Sequence, residues 1–529
     1  MTLVDQLNKT LADWPHLAQS IEQNGDRYQF TVPVETWYQV ASAVKRTFTH
    51  ARVSNYFATD ERVQSKGFGL YLIWSVDAEK SILILRTVVP EQSSEYHSLA
   101  ALSVAAARYE RDIWDMFGLI PSNHPELKSV IAHSDWPTDF FPLRKDVAWN
   151  APVKRTPDAR PYPFKRYEGE GIYEVPVGPI HAGVIEPGHF RFQVAGEPIQ
   201  NLEIRLGWKH RGVEKLFEHL PQDKWLHLSE QISGDNSIAH SAGLCAAVED
   251  AAGVTIPIRA QWLRMIFLEL ERVNTHLHDL ANMNVGIGCN FGASQLWRLR
   301  EQLLELNREL TGSRFLRGVN TLGGVKQDLT QDQQHRLLAE LKRIAAEMNE
   351  ILKIVLAMPS ALDRLETTGL LKKQVAEDLG VVGVGARASG IHIDARRDFP
   401  TWQYAKIQFT VPVRKEGDVL ARFLLRRDEL LESIHIIEQC LSGLKQAGEI
   451  QTSVDLNPNS FGWSCVESNR GELQYVVMTD SQGKINRVKI RDAGFHNWDA
   501  LAWCVLGNII PDFPLCNKSF NLSYSGHDL

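Results

Sequence analysis

Short apolar runs alternate with one stretch of helical spacing over the first 150 or so residues. Strands are predicted where residues alternate or run apolar, at 28–34 (YQFTVPV), 71–76 (YLIWSV) and 81–89 (SILILRTVV), and a helix is predicted between the first two, at 35–48. Residues 96–118 also predict a helix, ending at Phe117 and Gly118. We therefore expect a small α/β domain over residues 1–148.

Beyond residue 174 the periodicity predicts a hairpin and then long helices. Phe190, Phe192 and Val194 alternate with polar residues, a Gly-Glu-Pro turn follows, and the alternation resumes at Leu202. Helical stripes are predicted at 261–280, 291–312, 332–357 and 421–444, and two strands at 407–413 and 474–480 flank the last of these. Residues 174–529 are thus predicted to be a mainly helical bundle with peripheral antiparallel strands, so the fold class of the whole chain is α+β.

Between the two units lies a segment without periodicity. Residues 147–170 contain four prolines and five lysines or arginines but few aliphatic side chains. We predict a linker at 149–173. Two interpretations of it stay open, an extended strap on the surface of a partner and a plain solvated connector.

Composition and charge argue against nucleic-acid binding, a membrane span and secretion. The chain has 529 residues, a net charge of −7 and six scattered cysteines without a Cys-x-x-Cys pair. No basic field favours nucleic acid, no apolar run is long enough to span a bilayer, and no secretory signal begins the chain. We expect a cytoplasmic protein with reduced thiols that reaches a membrane only through partners.

Two motifs are better explained by structure than by chemistry. Residues 383–390 (GVGARASG) contain part of a dinucleotide-binding fingerprint, but a helix end precedes them and Asp394 follows too soon, so a tight glycine turn is the better interpretation. His276 and His278 lie two apart on a predicted helix and face different directions, which predicts one buried and one exposed histidine.

Two other stretches are candidates for chemistry. His210 follows the return strand of the hairpin, where a histidine can exchange protons near neutral pH. In ISGDNSIAHS (232–241), Ser233 and Asn236 stand at the spacing of a metal-binding cysteine pair around Gly234 and Asp235. An oxygen-ligand metal site, a lost metal site and a helix N-cap are all open interpretations of these residues.

Several motifs resemble a known family. ERDIWDMFGLIPSNHPELKSVIAHSDWPTDFFPLRKD (110–146) resembles the C subunit of respiratory NADH–quinone oxidoreductase (complex I). The second unit resembles the D subunit of complex I. It is still more similar to the large subunits of group 4 membrane-bound [NiFe]-hydrogenases of the formate hydrogenlyase and hydrogenase-4 type. The matching stretches are 176–192, 207–218, 268–280, 385–396 and 462–475. Together the two resemblances describe a fusion in the order C then D.

The resemblance also predicts which chemistry is missing. In the hydrogenases, ISGDNSIAHS is matched by a segment with Cys-Gly-Ile-Cys, and a second Cys-x-x-Cys lies near the C-terminus. Here Ser233 and Asn236 replace the first pair, and the C-terminal segment offers Cys516 alone. The resemblance therefore implies a lost metal site, with Gly234 and His240 as remnants of the pattern, no bound metal and no hydrogenase activity.

The resemblance to complex I implies a site for quinone. His210 matches the histidine that binds the quinone head group, the quinone-binding tyrosine matches Gly234, and the acid that pairs with the histidine matches Asn284 after a short gap. The acceptor cavity would then contain His210, Ser233, Gly234, Asp235, Asn236, His240 and Asn284. An arginine that precedes the motif in both relatives is Gln231 here.

The function implied is that of a redox subunit at the cytoplasmic face of the inner membrane, reducing a quinone without a cofactor of its own. Implied partners are a [4Fe–4S] small subunit similar to the B subunit of complex I, a ferredoxin-like Fe–S subunit, a membrane subunit similar to the H subunit of complex I, and antiporter-like membrane subunits. Two alternatives are a catalytically silent scaffold of an ion- or inorganic-carbon-transporting complex, and an active [NiFe]-hydrogenase.

Overall fold

The computed structural model describes residues 2–156, 161–180, 186–444 and 447–529. The N-terminal unit contains α1 (Leu3–Thr10), α2 (Pro15–Gln19), β1 (Glu22–Asn24), β2 (Arg27–Thr31), α3 (Trp37–Thr47), β3 (Arg52–Asp60), α4 (Arg62–Ser65), β4 (Gly67–Val76), β5 (Ser81–Pro90), β6 (Glu95–His97), α5 (Val104–Phe117) and β7 (Ile120–Ser122). Its main sheet has the strand order β1-β2-β5-β4-β3, with β2 and β5 parallel and the other neighbours antiparallel.

The predicted strands and helix α3 of this unit are confirmed, but four strands, β1, β3, β6 and β7, were not predicted. In β3 the polar residues Ser54, Asn55 and Thr59 hide the apolar alternation, although all three are buried. The helix predicted from residue 96 begins only at Val104, because residues 96 and 97 belong to β6 and residues 98–103 form a loop that contains a turn.

Both faces of this sheet are covered. One face packs on α3 and α5, and the other places Phe57, Tyr71 and Ile84 against Val476 of the second unit. Burial on both faces explains why β4 and β5 read as nearly continuous apolar runs.

The linker lies along its own chain. Residues 157–160 fall outside the described residues, but the amide of Thr156 donates to Asp135 O at 2.8 Å, the Tyr162 hydroxyl donates to Ser129 O at 3.2 Å, and the amide of Lys165 donates to the Glu203 carboxylate at 2.6 Å. The described part of the linker is therefore more than a solvated connector.

The second unit contains a three-stranded sheet, a helical bundle and a second antiparallel sheet. Its elements are β8 (Ile172–Val177), β9 (His189–Ala195), β10 (Ile199–Arg205), α6 (Val213–Phe217), α7 (Gln222–Glu230), α8 (Ser237–Ala252), α9 (Ile258–Gly286), α10 (Asn290–Thr311), β11 (Asn320–Thr321), β12 (Gly324–Val325), α11 (Gln331–Leu356), α12 (Pro359–Leu365), α13 (Lys373–Asp378), α14 (Gly383–Ala388), α15 (Ala395–Asp398), α16 (Val419–Gly443), β13 (Phe461–Ser468), β14 (Gly471–Thr479), β15 (Ile485–Arg491), α17 (Gly494–Cys504), α18 (Phe513–Phe520) and α19 (Tyr524–Asp528). The predicted hairpin is β9–β10, to which β8 adds a third strand that the sequence analysis missed. No helix in the described part of the chain is both long and apolar enough to cross a bilayer.

Helix α9 is the centre of the bundle. It packs against α8, α10, α16 and α18, and even charged residues such as Glu269, Arg272 and Asp279 are buried on it. They are tolerated because each is paired: Glu269 with Arg272 at 3.0 Å, and Asp279 with Arg426 of α16 at 2.5 Å.

One predicted strand is wrong and another is confirmed. Residues 474–480 fall almost wholly in β14, whereas 407–413, all of them described, form no strand. Their amides bind side chains of α16 instead, Gln408 N to Gln439 and Thr410 N to Glu432, at 3.0 and 2.9 Å. The apolar residues of 407–413 alternate as they do in a strand, but the amides of this segment bind helix side chains and not a neighbouring strand.

Candidate functional site

His210 lies in the turn that joins β10 to α6. Its Nδ1 lies 2.8 Å from the backbone carbonyl oxygen of Asp528, the last residue of α19. A carbonyl oxygen can only accept, so Nδ1 carries a hydrogen, and in the neutral ring the free electron pair is on Nε2. The tautomer of His210 is thus fixed by its partner.

The whole His210 turn is held by the last two residues of the chain. The Asp528 carboxylate accepts hydrogen bonds from the amides of Gly207 at 2.9 Å and Lys209 at 2.7 Å, and Leu529 O accepts one from the amide of Arg211 at 2.8 Å. Gly207 has φ +105°, and a Cβ there would lie 2.6 Å from Ile131 O, so the turn needs glycine at this position.

A second turn, Ser233–Asn236, joins α7 to α8 and is tied to the first. The Arg211 guanidinium donates to Gln231 O and Ile232 O, at 2.9 Å each, so His210 and the second turn are held as neighbours. Gly234 is exposed, and a Cβ added to it would have its nearest neighbour 3.7 Å away, on Arg317, so this position opens on free space.

Asp235 anchors the second turn. It accepts from the Ser233 hydroxyl at 3.0 Å and from Arg470, in the turn between β13 and β14, at 2.6 Å. Burial alone would raise the pKa of this carboxyl, but the Arg470 guanidinium and the hydrogen bonds outweigh it and lower the pKa of Asp235 to about 2. Asp235 is therefore an anion at neutral pH.

The N-cap interpretation of this stretch needs a correction. Asn236 occupies the N-cap position of α8 but makes no side-chain cap bond, and its buried amide group has no hydrogen-bond partner among the described residues. The free amides at the start of α8, those of Ile238 and Ala239, instead donate to Glu271 of α9 at 2.7 and 2.9 Å. The side chain of Glu271, in the next helix, thus caps this helix.

His240 lies one turn further into α8 and is completely buried. Its Nδ1 lies 2.8 Å from the Tyr475 hydroxyl, and its Nε2 lies 3.5 Å from Asp492. These contacts place His240 behind the turn, in the packing against β14.

Asn284 does not pair with His210. Its amide nitrogen donates to Leu280 O in the same helix at 2.8 Å, and its carbonyl oxygen faces α10, where a Cβ on Gly292 would be only 2.3 Å from it. The hydrogen-bond partner of His210 is instead the Asp528 carbonyl.

Other motifs from the sequence analysis have structural roles. Gly383 has φ +66° and lies where a Cβ would be 1.9 Å from Arg470 O, so glycine is required there, but residues 383–388 form the short helix α14 and the prediction of a tight turn over 383–390 is wrong for most of its length. His276 is fully buried and hydrogen-bonded to Glu429 of α16 at 3.0 Å, whereas His278 is half-buried rather than exposed and contacts Asn282.

Comparison with known proteins connects this geometry to a family. The chain matches "Respiratory-chain NADH dehydrogenase, 49 Kd subunit" over residues 287–458 and 451–528, and the corresponding "30 Kd subunit" over residues 30–153. It is 32% identical to hydrogenase-4 component G and 33% identical to formate hydrogenlyase subunit 5, both of Escherichia coli; the two alignments cover 89% and 90% of this chain and 83% and 84% of those proteins. It is also 27% identical to the C/D subunit of the NADH-quinone oxidoreductase of Phocaeicola vulgatus, over 81% of this chain and 86% of that protein.

The chain belongs to this family. Its two units are the fused 30 kDa-like and 49 kDa-like units of the NADH dehydrogenase and hydrogenase large-subunit family. Within the family-like stretch 176–192, residues 181–185 lie outside the described residues.

In the C-terminal segment, Ser523 contacts the Ser233–Asn236 turn. The Ser523 hydroxyl lies 3.0 Å from the Ser233 hydroxyl, and Ser523 and Gly526 have the spacing of a Cys-x-x-Cys pair, with the Gly526 amide donating to Ser523 at 2.8 Å. Cys516 lies in α18 beside Gly369 and hydrogen-bonds with Cys504. The prediction named Cys516 because it is the only thiol in this stretch of sequence.

A nickel–iron centre does not fit these positions. Two hydroxyls, one amide and a glycine would replace four thiolates, and these hard or absent donors are poor ligands for such a centre. No group of three or more His, Cys, Asp or Glu side chains within the described ranges is arranged to hold a metal.

Proposed function

We propose that this chain is a redox subunit that reduces a quinone-type acceptor beside His210, using electrons from a [4Fe–4S] partner subunit and having no hydrogenase activity. The observation that carries the proposal is the hydrogen bond from His210 Nδ1 to the Asp528 carbonyl. Membership of an oxidoreductase family supports the reaction class.

The fixed tautomer gives His210 a defined role. When its ring is protonated, Nε2 donates a hydrogen bond, and then a proton, to a carbonyl oxygen of the acceptor; the neutral ring left behind accepts a proton from solvent. Because the Asp528 carbonyl accepts the Nδ1 hydrogen, Nε2 is left free to face the acceptor.

The neighbouring turn leaves room for an acceptor. Gly234 faces open space and replaces the tyrosine of the resembled quinone site, so the acceptor has His210 as its one family-type partner. Electron transfer would come from the partner cluster, since the six cysteines of this chain are buried and dispersed.

We further propose that the chain assembles on the cytoplasmic face of the inner membrane with the [4Fe–4S] small subunit, a ferredoxin-like Fe–S protein, a membrane protein similar to the H subunit of complex I, and antiporter-like proteins. The names of the relatives, a formate hydrogenlyase subunit and NADH-quinone oxidoreductase subunits, support partners of this kind.

The test uses the native complex purified from its host. Wild type should contain bound quinone and reduce added quinone with dithionite as donor, and His210→Ala should lose about 100-fold in rate, the usual contribution of a general acid. The matched control is His219→Ala, since His219 is exposed and stacks on Trp149 at 4.6 Å, outside the site. Equal rates for the two variants would contradict the proposal.

A scaffold without catalysis is the second candidate, and the absence of a side chain at Gly234 favours it. A wild-type complex that assembles fully, yet holds no quinone and shows no turnover, would support the scaffold. Nickel bound to the purified complex would instead support a hydrogenase.

A further inference from the structure

A small cavity lies directly behind the Ser233–Asn236 turn. Gly234 and Asp235 form one wall, Glu271 and Asn274 of α9 a second, and Asn307 of α10 a third. Its volume is about 10 Å³, which is close to the space that one water molecule needs.

Two polar atoms of the lining residues lack a partner. Asn274 and Asn307 are only 5% and 1% exposed, and their side-chain oxygens accept no hydrogen bond from any described residue. Since an amide oxygen can only accept, both need a donor, and one water has two hydrogens to donate. The cavity therefore has the size and the chemistry of a water site.

Glu271 completes this arrangement. Each of its carboxyl oxygens already accepts one backbone amide, from Ile238 and from Ala239. The charged groups facing it are Asp235 and Arg470, which have opposite effects on its pKa. Arg317 binds Gly234 O and the Ser237 hydroxyl of the same turn. No cation forms an ion pair with Glu271 among the described residues.

We propose that Glu271 is a protonated carboxyl that exchanges its proton with solvent through one water, bound by Asn274 and Asn307, and through the open turn at Gly234. Burial supports this state, because desolvation raises the pKa of Glu271 to about 8 even though two amide hydrogen bonds oppose the rise. The group thus carries its proton at neutral pH and loses it as the pH rises above that value.

The relay deepens the proposed function and rests on it for its role. Reduction of a quinone to a quinol takes two electrons, here from the partner cluster, and two protons. His210 supplies one proton from Nε2, and Glu271 supplies the other through the water; both groups are then reprotonated from solvent. Glu271 does not contact the acceptor and acts only through the water.

Infrared spectroscopy of the native complex tests the relay without turnover. Wild type at pH 7 should show a protonated-carboxyl band that shifts on transfer to D₂O and is lost in Glu271→Gln. Asn274→Leu should fill the water space and slow the deuterium shift at least 10-fold, while Glu230→Gln, a buried carboxyl that binds the Gly318 amide, should leave the band unchanged. The absence of the band, or a shift equally fast in Asn274→Leu, would overturn the relay.

The pH dependence of quinone reduction tests the role of the relay separately. The wild-type rate of quinone reduction should fall above about pH 8. Glu271→Gln should be about 100-fold slower and should not show this fall at high pH. A wild-type profile in Glu271→Gln would also overturn the relay. A complex that shows the infrared band but no quinone turnover would refute the proposed function, while the band itself would still establish the proton exchange at Glu271.

Discussion

Replacement of Asp528 by asparagine should loosen the His210 turn by a predictable amount. The carboxylate accepts amides from Gly207 and Lys209 and a ring N–H from His527, the last at 2.8 Å. Asparagine has one oxygen, and its NH₂ group would face a donor, so one or two charge-assisted hydrogen bonds are lost at about 1.5–3 kcal/mol each. We expect a cost of about 3 kcal/mol.

Thermal unfolding gives the assay. At roughly 2 cal/mol/K per residue, the unfolding entropy of a chain of this size is about 1 kcal/mol/K, so Asp528→Asn should lower Tm by about 3 °C. Asp512→Asn is the matched control, because Asp512 makes only a partly exposed bridge with Arg364 at 3.4 Å, worth less than about 1 kcal/mol. A Tm for Asp528→Asn equal to that of the control would refute the reasoning. If the turn also positions His210, kcat for quinone should fall while the quinone content changes little.

Three further outcomes follow from buried contacts. Glu429→Gln removes one charge from a buried pair with Arg387 (2.7 Å) and should cost about 3–5 kcal/mol in denaturant unfolding, and an unchanged midpoint would contradict this. Burial opposes ionisation of Glu472, but the two arginines beside it lower its pKa to about 2; its contribution to the free energy of unfolding is therefore complete above about pH 4.5 and is lost as the pH falls toward 2, so acid unfolding should be shallower in Glu472→Gln. Gly383→Ala should prevent stable folding because its Cβ would overlap Arg470 O, whereas Gly25→Ala, at a positive φ in open space, should cost only about 1 kcal/mol in the same denaturation assay.

The periodicity of single segments was sufficient to predict much of the fold. The stripe at 261–280 became α9, and the hairpin that delivers His210 was visible from Phe190, Phe192 and Leu202. Strand β3 was hidden because polar side chains of the strand are buried; Ser54, for example, donates to Ile73 O at 3.2 Å. Local patterns cannot reveal burial of this kind.

The site was only partly predictable for a different reason. His210 and the Ser233–Asn236 turn could be named from the sequence, but their partners, Asp528 and Ser523, lie about 300 residues away and have ordinary side chains. Cys516 was named because it is the only thiol in the C-terminal stretch of the sequence. Glu271 gave no signal, since a glutamate in an amphipathic helix normally faces solvent.

The contact of the His210 turn with Asp528 and Leu529 has a consequence for how the protein is made. The residues joined by the His210 hydrogen bond are 318 positions apart, so the turn leaves the ribosome long before its partner exists. At roughly 5–20 residues per second, synthesis of the intervening chain takes about 15–60 s. During that interval the amides of the turn are unpaired, and only a polypeptide translated through Asp528 can close them. Chains that terminate before Asp528 would thus be recognisable to proteases by an open His210 turn.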